Sequence, residues 1–156
     1  MSRTRTITAA PQAVWDVLAD FGTISSWAGN VDHSCVLEHG PDNSAVGTSR
    51  RVQVGRNTLV ERITTFSAPD SHGPGSHGSG SLGYDIEGLP QRLRRLANRW
   101  DVRPAGDGRT EVTLTSTVEI GDNLLARAAE RVVCRAMAKQ ADAMLTGLAE
   151  KVEETP

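Results

Sequence analysis

At 156 residues the chain fits one domain, residues 1–156, and can bury roughly two thirds of its unfolded surface. A formal charge of −2 excludes a general nucleic-acid binder, which needs a strongly basic face. No stretch approaches the roughly 18 apolar residues of a membrane span, and Met1 to Thr8 holds no apolar signal core, so a cytoplasmic protein without membrane insertion is expected.

Arg3 to Thr8 is rich in threonine and reads as a first strand at a sheet edge. Pro11 sits where a helix begins, a position proline tolerates. Val14, Trp15, Leu18 and Phe21 form the apolar side of that helix, and Gly22 breaks it. Thr23 to Trp27 reads as a second short helix, ended by Gly29 and Asn30. Val31 to Glu38 is a strand, followed by the turn residues Gly40 to Ser44. Thr48 to Val54 and Thr58 to Phe66 form the clearest hairpin, joined at Gly55-Arg56-Asn57. A two-residue turn at Gly55-Arg56 pairs Val54 with Asn57, Val52 with Leu59 and Arg50 with Glu61; a three-residue turn changes these partners.

Ser71 to Gly80 is a low-complexity Gly/Ser/His segment and is expected to be a flexible loop. Ser81 to Glu87 alternates, and Leu89-Pro90 marks a break. Leu96 to Arg103 alternates again, with Asn98, Trp100 and Val102 on one face, and Pro104 to Gly108 reads as a turn. Glu111 to Ile120 places Val112, Leu114, Ser116 and Val118 together. From Asp122 to Glu150 runs one long amphipathic helix. Its apolar arc holds Leu125, Ala129, Val132, Val133, Ala136, Met137, Gln140, Met144 and Leu148, and Asp122 is placed to cap its first turn. One strand, two short helices, six strands and a long helix argue an antiparallel α+β fold, with the sheet wrapped around the last helix and a cavity between them.

Standard catalytic signatures are absent. Cys35 and Cys134 have no CxxC spacing, and Cys134 reads as a buried free thiol. The histidines form no ligand set: His33 and His39 flank a strand, and His72 and His77 lie in the Gly/Ser segment. No metal site and no cofactor are expected. The Arg92, Arg94, Arg95 and Arg99 cluster reads as a solvated face.

A hydrophobic-ligand site is mostly apolar with a few placed polar groups. Strand parity nominates Arg50, Leu59, Glu61, Tyr84, Asn98, Trp100, Leu114 and Ser116. The long helix adds Val133, Met137, Gln140 and Met144, and Trp27 is placed to close the mouth. Arg50 and Glu61 are the sharpest pair. An inward Arg can hold a ligand carboxylate or polarise a carbonyl, and Glu61 can then act as a base. In that case Glu61→Gln weakens ligand binding and leaves the fold intact. The plainer alternative is a mutually satisfied ion pair in the cavity wall. Tyr84, the only tyrosine, has a hydroxyl for a ligand or a cavity water. Arg50, Glu61 and Tyr84 are therefore the catalytic candidates if any chemistry occurs.

The order of these elements resembles the polyketide cyclase/dehydrase family of the START-like (SRPBCC, birch-pollen-allergen-like) superfamily. The resemblance is carried by Ala10 to Phe21 with Trp27, by Val46-Gly47-Thr48-Ser49-Arg50, Val60 to Thr64 and Tyr84-Asp85-Ile86, by the Leu89-Pro90 break, by Gly106 to Val112, and by the closing helix. It implies a helix-grip fold: a seven-stranded curved antiparallel sheet around the C-terminal helix, with two short helices after the first strand. It also implies a cavity that binds or carries a hydrophobic small molecule such as a lipid, polyketide or aromatic metabolite. The alternative it implies is a polyketide cyclase or dehydratase using the same cavity. The Ser71 to Gly80 segment departs from the short connection usual in that family. A monomer or homodimer is expected.

Overall fold

The computed structural model describes residues 1–69, 78–89, 93–120 and 124–154. Strand β1 is Ser2–Ile7 and helix α1 is Pro11–Ala19, followed by a 3-10 helix at Phe21–Ser26. Strand β2 is His33–Glu38, and a short 3-10 turn follows at Pro41–Asn43. Strands β3 (Ser49–Val54), β4 (Asn57–Ser67), β5 (Gly80–Glu87), β6 (Leu93–Gly106) and β7 (Arg109–Ile120) lead into helix α2, Leu124–Glu153. The seven strands form one antiparallel sheet in the order β1-β7-β6-β5-β4-β3-β2, with β1 at an edge as expected. This is the helix-grip arrangement. Only the N-terminal strand crosses to pair with the last; every other neighbour is sequential.

Local chemistry explains most boundaries. Pro11 opens α1 at its first turn, where its missing N–H costs nothing. Val14, Trp15 and Leu18 bury one side of α1, and Trp15 meets Phe66 edge-on at 5.0 Å between ring centroids. Gly80 permits that packing, because a Cβ there would sit 2.9 Å from the Trp15 ring. The β3–β4 hairpin takes the two-residue register: Val54 faces Asn57, Val52 faces Leu59 and Arg50 faces Glu61. Gly55 adopts φ +59°, which a side-chain-bearing residue resists.

Three sequence expectations shift. The Pro104 to Gly108 turn is shorter: β6 runs through Pro104, which pairs with Thr110 beside a bulge, and the reversal falls at Asp107-Gly108. A bulge accommodates a proline that cannot donate to the ladder. Val132, Ala136 and Gln140, placed on the apolar arc of α2, are exposed. Among its described side chains, residues 131–153, the helix is buried only from Ala141 onward, through Met144, Leu145, Leu148, Ala149 and Val152. It packs there on β7, β1 and α1, and residues 131–140 are at most half covered. Cys134 is free and only half-buried, and Cys35 is free and exposed. The Asp122 cap and most of the Ser71 to Gly80 segment lie outside the described residues. No helix among the described residues is long and apolar enough to cross a membrane.

Candidate functional site

The concave face of the sheet carries polar side chains from five adjacent strands. Arg50 comes from β3, Glu61 from β4, Tyr84 from β5, Asn98 from β6 and Ser116 from β7, and all five are buried. Inward parity alone puts them there. Arg50 stands opposite Glu61, Tyr84 opposite Asn98, and Asn98 opposite Ser116. Buried polar groups need partners, and these find them in one another.

Arg50 is the hub. Its Nε donates to Glu61 Oε2 at 2.7 Å, and its Nη2 lies 2.6 Å from the same oxygen. Its Nη1 donates to the Phe21 carbonyl at 2.6 Å. The guanidinium carbon lies 3.8 Å from the Phe21 ring centroid and 4.9 Å from that of Tyr84. A planar, weakly hydrated cation suits such a stacked, forked site, and lysine would not replace it. The second half of the row is a relay. Ser116 Oγ donates to Asn98 Oδ1 at 2.7 Å, and Asn98 Nδ2 donates to the Tyr84 hydroxyl at 3.4 Å. The Tyr84 hydroxyl accepts from Asn98, with the Trp100 indole also directed at it, and keeps a proton to give.

Burial pushes the Tyr84 hydroxyl up to about 12, the Glu61 carboxylate adds to the rise, and the Arg50 cation opposes it. At neutral pH Tyr84 is a neutral donor. The folded state holds this proton more tightly than the unfolded chain does. Stability is then unaffected by Tyr84 below about pH 10 and falls as pH rises from 10 toward 12, by about 2–3 kcal/mol. Since Tyr84 is the only tyrosine, phenolate absorbance reports it alone. The expected titration midpoint is near 12 when folded and near 10 in denaturant; a midpoint near 10 in the folded protein would refute the burial account.

Apolar walls flank the row. Trp100 and Leu114 are buried in the sheet, and Met144 of α2 is buried in the same core cluster. Trp27 is also buried, edge-on to Trp100 at 6.0 Å between ring centroids. Its indole Nε1–H is buried with no partner among the described residues. Leu59, Val133 and Met137 are half-buried. Gln140 is not brought to the row: it is exposed, and its Oε1 accepts from Asn30 Nδ2. Among the described residues no cluster of His, Cys, Asp and Glu is arranged to hold a metal ion.

Sequence reasoning missed two features. The sequence places Phe21 only on an apolar helix side, yet its carbonyl and ring secure Arg50; nothing in the local pattern signals a long-range carbonyl acceptor. A separate cleft of about 290 Å³ lies where the 3-10 helix meets β2 and the following loop, lined by Asp20, Phe21, Val36, His39, Thr48 and Phe66 among others. It contains none of the nominated site residues.

A family model described as polyketide cyclase/dehydrase and lipid transport matches residues 1–153. None of the curated protein sequences compared matches. Solved structures share the fold at low identity. The Zhui aromatase/cyclase from Streptomyces is 18% identical with a TM-score of 0.72, covering 98% of this chain and 92% of its own. A START superfamily protein from Mycobacterium smegmatis is 13% identical with a TM-score of 0.68, covering 100% and 98%. Ara h 8.0201 is 14% identical with a TM-score of 0.63, covering 99% and 97%.

Proposed function

Since the chain belongs to the polyketide cyclase/dehydrase and lipid transport family, we propose that it binds and carries a hydrophobic small molecule between the sheet and α2. The cargo is a lipid, polyketide or aromatic metabolite with one polar end. The observation that carries this reading is the unpartnered indole N–H of Trp27, buried beside Trp100 near the polar row. A buried donor without an acceptor costs about 1–3 kcal/mol. A ligand oxygen there would satisfy it. The Tyr84 hydroxyl supplies a second donor, and Trp100, Leu114 and Met144 supply apolar wall.

The second reading is a cyclase or dehydratase in the same space. The family description and the aromatase/cyclase fold neighbour favour it. Tyr84 would then be the proton donor, with Arg50 polarising the ring face of Phe21 and Tyr84 and not the substrate directly, because three of its N–H groups are already engaged. Glu61 suits the role of base poorly, since two Arg50 nitrogens converge on one of its oxygens.

Native mass spectrometry of the purified protein tests the proposal. An apolar molecule is expected to co-purify, and Trp27→Phe is expected to weaken its retention by about tenfold, the worth of one hydrogen bond. An empty protein that converts an aromatic polyketide precursor would replace the carrier reading with the enzymatic one.

A further inference from the structure

The first half of the described part of α2 is unlike the rest. From Arg131 to Gln140 every side chain is exposed or half-buried, whereas six residues from Ala141 onward are buried. Residues 131–141 read Arg-Val-Val-Cys-Arg-Ala-Met-Ala-Lys-Gln-Ala: three cations and no acid, in a chain of net charge −2. Arg131, Arg135 and Lys139 recur every fourth residue, so they lie along one side of the helix, and all three are exposed. None of them takes part in the ion pairs found among the described residues. Beside this stripe Val132 is 69% exposed, the most exposed large apolar side chain described. Val133 and Met137, half-buried, lie behind it.

We propose that the Arg131–Gln140 half of α2 is a docking surface for an anionic lipid membrane. A cationic stripe alone would suit any acidic partner. An exposed valine set among the cations, with two more apolar residues only half covered, is the composition of a helix lying in the headgroup layer. Lysine and arginine ends reach the phosphates while their stems and the valine meet the acyl boundary. This goes beyond the cargo reading, because docking requires no bound cargo.

The test is co-sedimentation of the full-length chain with vesicles of phosphatidylcholine alone or with about a third phosphatidylglycerol. Binding to the anionic vesicles is expected to exceed binding to the neutral ones by about tenfold or more and to fall as salt rises. The triple variant R131A/R135A/K139A is expected to lose on the order of a hundredfold in vesicle affinity with thermal unfolding unchanged. Val132→Asp is expected to weaken binding as well. Equal binding to neutral and anionic vesicles, or a triple variant that binds as the parent does, would overturn the proposal. So would retention on polyglutamate without vesicle binding, which assigns the face to an acidic polypeptide. A dimer abolished by Val132→Asp, again without vesicle binding, assigns it to a second copy of this chain. A protein that docks yet is empty in native mass spectra overturns the cargo reading and leaves the docking surface standing.

Discussion

Glu61→Gln is expected to destabilise the protein by about 3–5 kcal/mol, measured by urea unfolding, although the change is nearly isosteric. The reason is what it leaves behind. Arg50 is 3% exposed and makes two contacts with a single Glu61 oxygen. The neutral amide can accept a hydrogen bond but cannot neutralise the cation. Arginine cannot shed its proton to escape, so the charge stays buried. The Phe21 and Tyr84 rings soften this cost, each by about 0.5–2 kcal/mol, without removing it. A domain with a typical stability of about 5–15 kcal/mol loses a large share of it. Removing both charges is expected to be far milder: Arg50→Met with Glu61→Leu leaves no ion to solvate and keeps the volume, so the double variant should lie within about 1–2 kcal/mol of the parent. If Glu61→Gln falls within about 1 kcal/mol of the parent, the pair is not holding the wall. Its burial would then need a ligand-side explanation.

That expectation reverses the one drawn from sequence, in which Glu61→Gln spares the fold. The hairpin was legible, with its register open between a two-residue and a three-residue turn, and the structure takes the two-residue one at Gly55-Arg56. Parity then placed Arg50, Glu61, Tyr84, Asn98 and Ser116 on the same face without any tertiary information. What parity cannot carry is the identity of the partners around each group. The Phe21 carbonyl reaches Arg50 across 29 positions, and its ring stacks there only because the 3-10 helix follows α1 directly. The same limit explains α2. A 3.6-residue period fixes which side chains share a side of the helix, and it was right about Met144 and Leu148. It carries no information on where along its length the helix meets the sheet, so Val132 and Gln140 share the arc of Met144 and Leu148 yet are exposed, and among the described side chains burial begins at Ala141. Asn30 likewise read as a helix stop, and its bond to Gln140 depends on the loop crossing over α2.

Gly147 sets helix propensity directly against packing. On propensity alone, Gly147→Ala in the interior of α2 should stabilise by about 1 kcal/mol. The structure predicts the opposite sign. A Cβ at Gly147 would lie 1.9 Å from the Trp27 carbonyl oxygen, 3.0 Å from its carbonyl carbon and 3.4 Å from the Ala28 Cα. All three are backbone atoms, which cannot rotate away as the end of a long side chain can. Either α2 or the chain at Trp27-Ala28 must retreat by more than an ångström in scale. Retreat separates buried Ala28 from the helix, pulls Trp27 from its edge contact with Trp100 and strains the Asn30–Gln140 bond. Overpacking of this kind costs about 1–3 kcal/mol and occasionally more; an overlap with fixed backbone belongs at the upper end, so after the propensity gain of about 1 kcal/mol the net loss is expected at about 2 kcal/mol. Thermal unfolding should then fall by roughly 4–8 °C for a domain of this size. Gly29→Ala is the control: no atom lies within 4 Å of its Cβ, and its φ is not left-handed, so it should change stability by no more than about 0.5 kcal/mol. A rise in melting temperature for Gly147→Ala would mean that the Trp27 loop yields freely and that α2 is not gripped at this point. In that case the Trp27 ring would be held by Trp100 of the sheet, and the helix would be free to set the width of the space beside it.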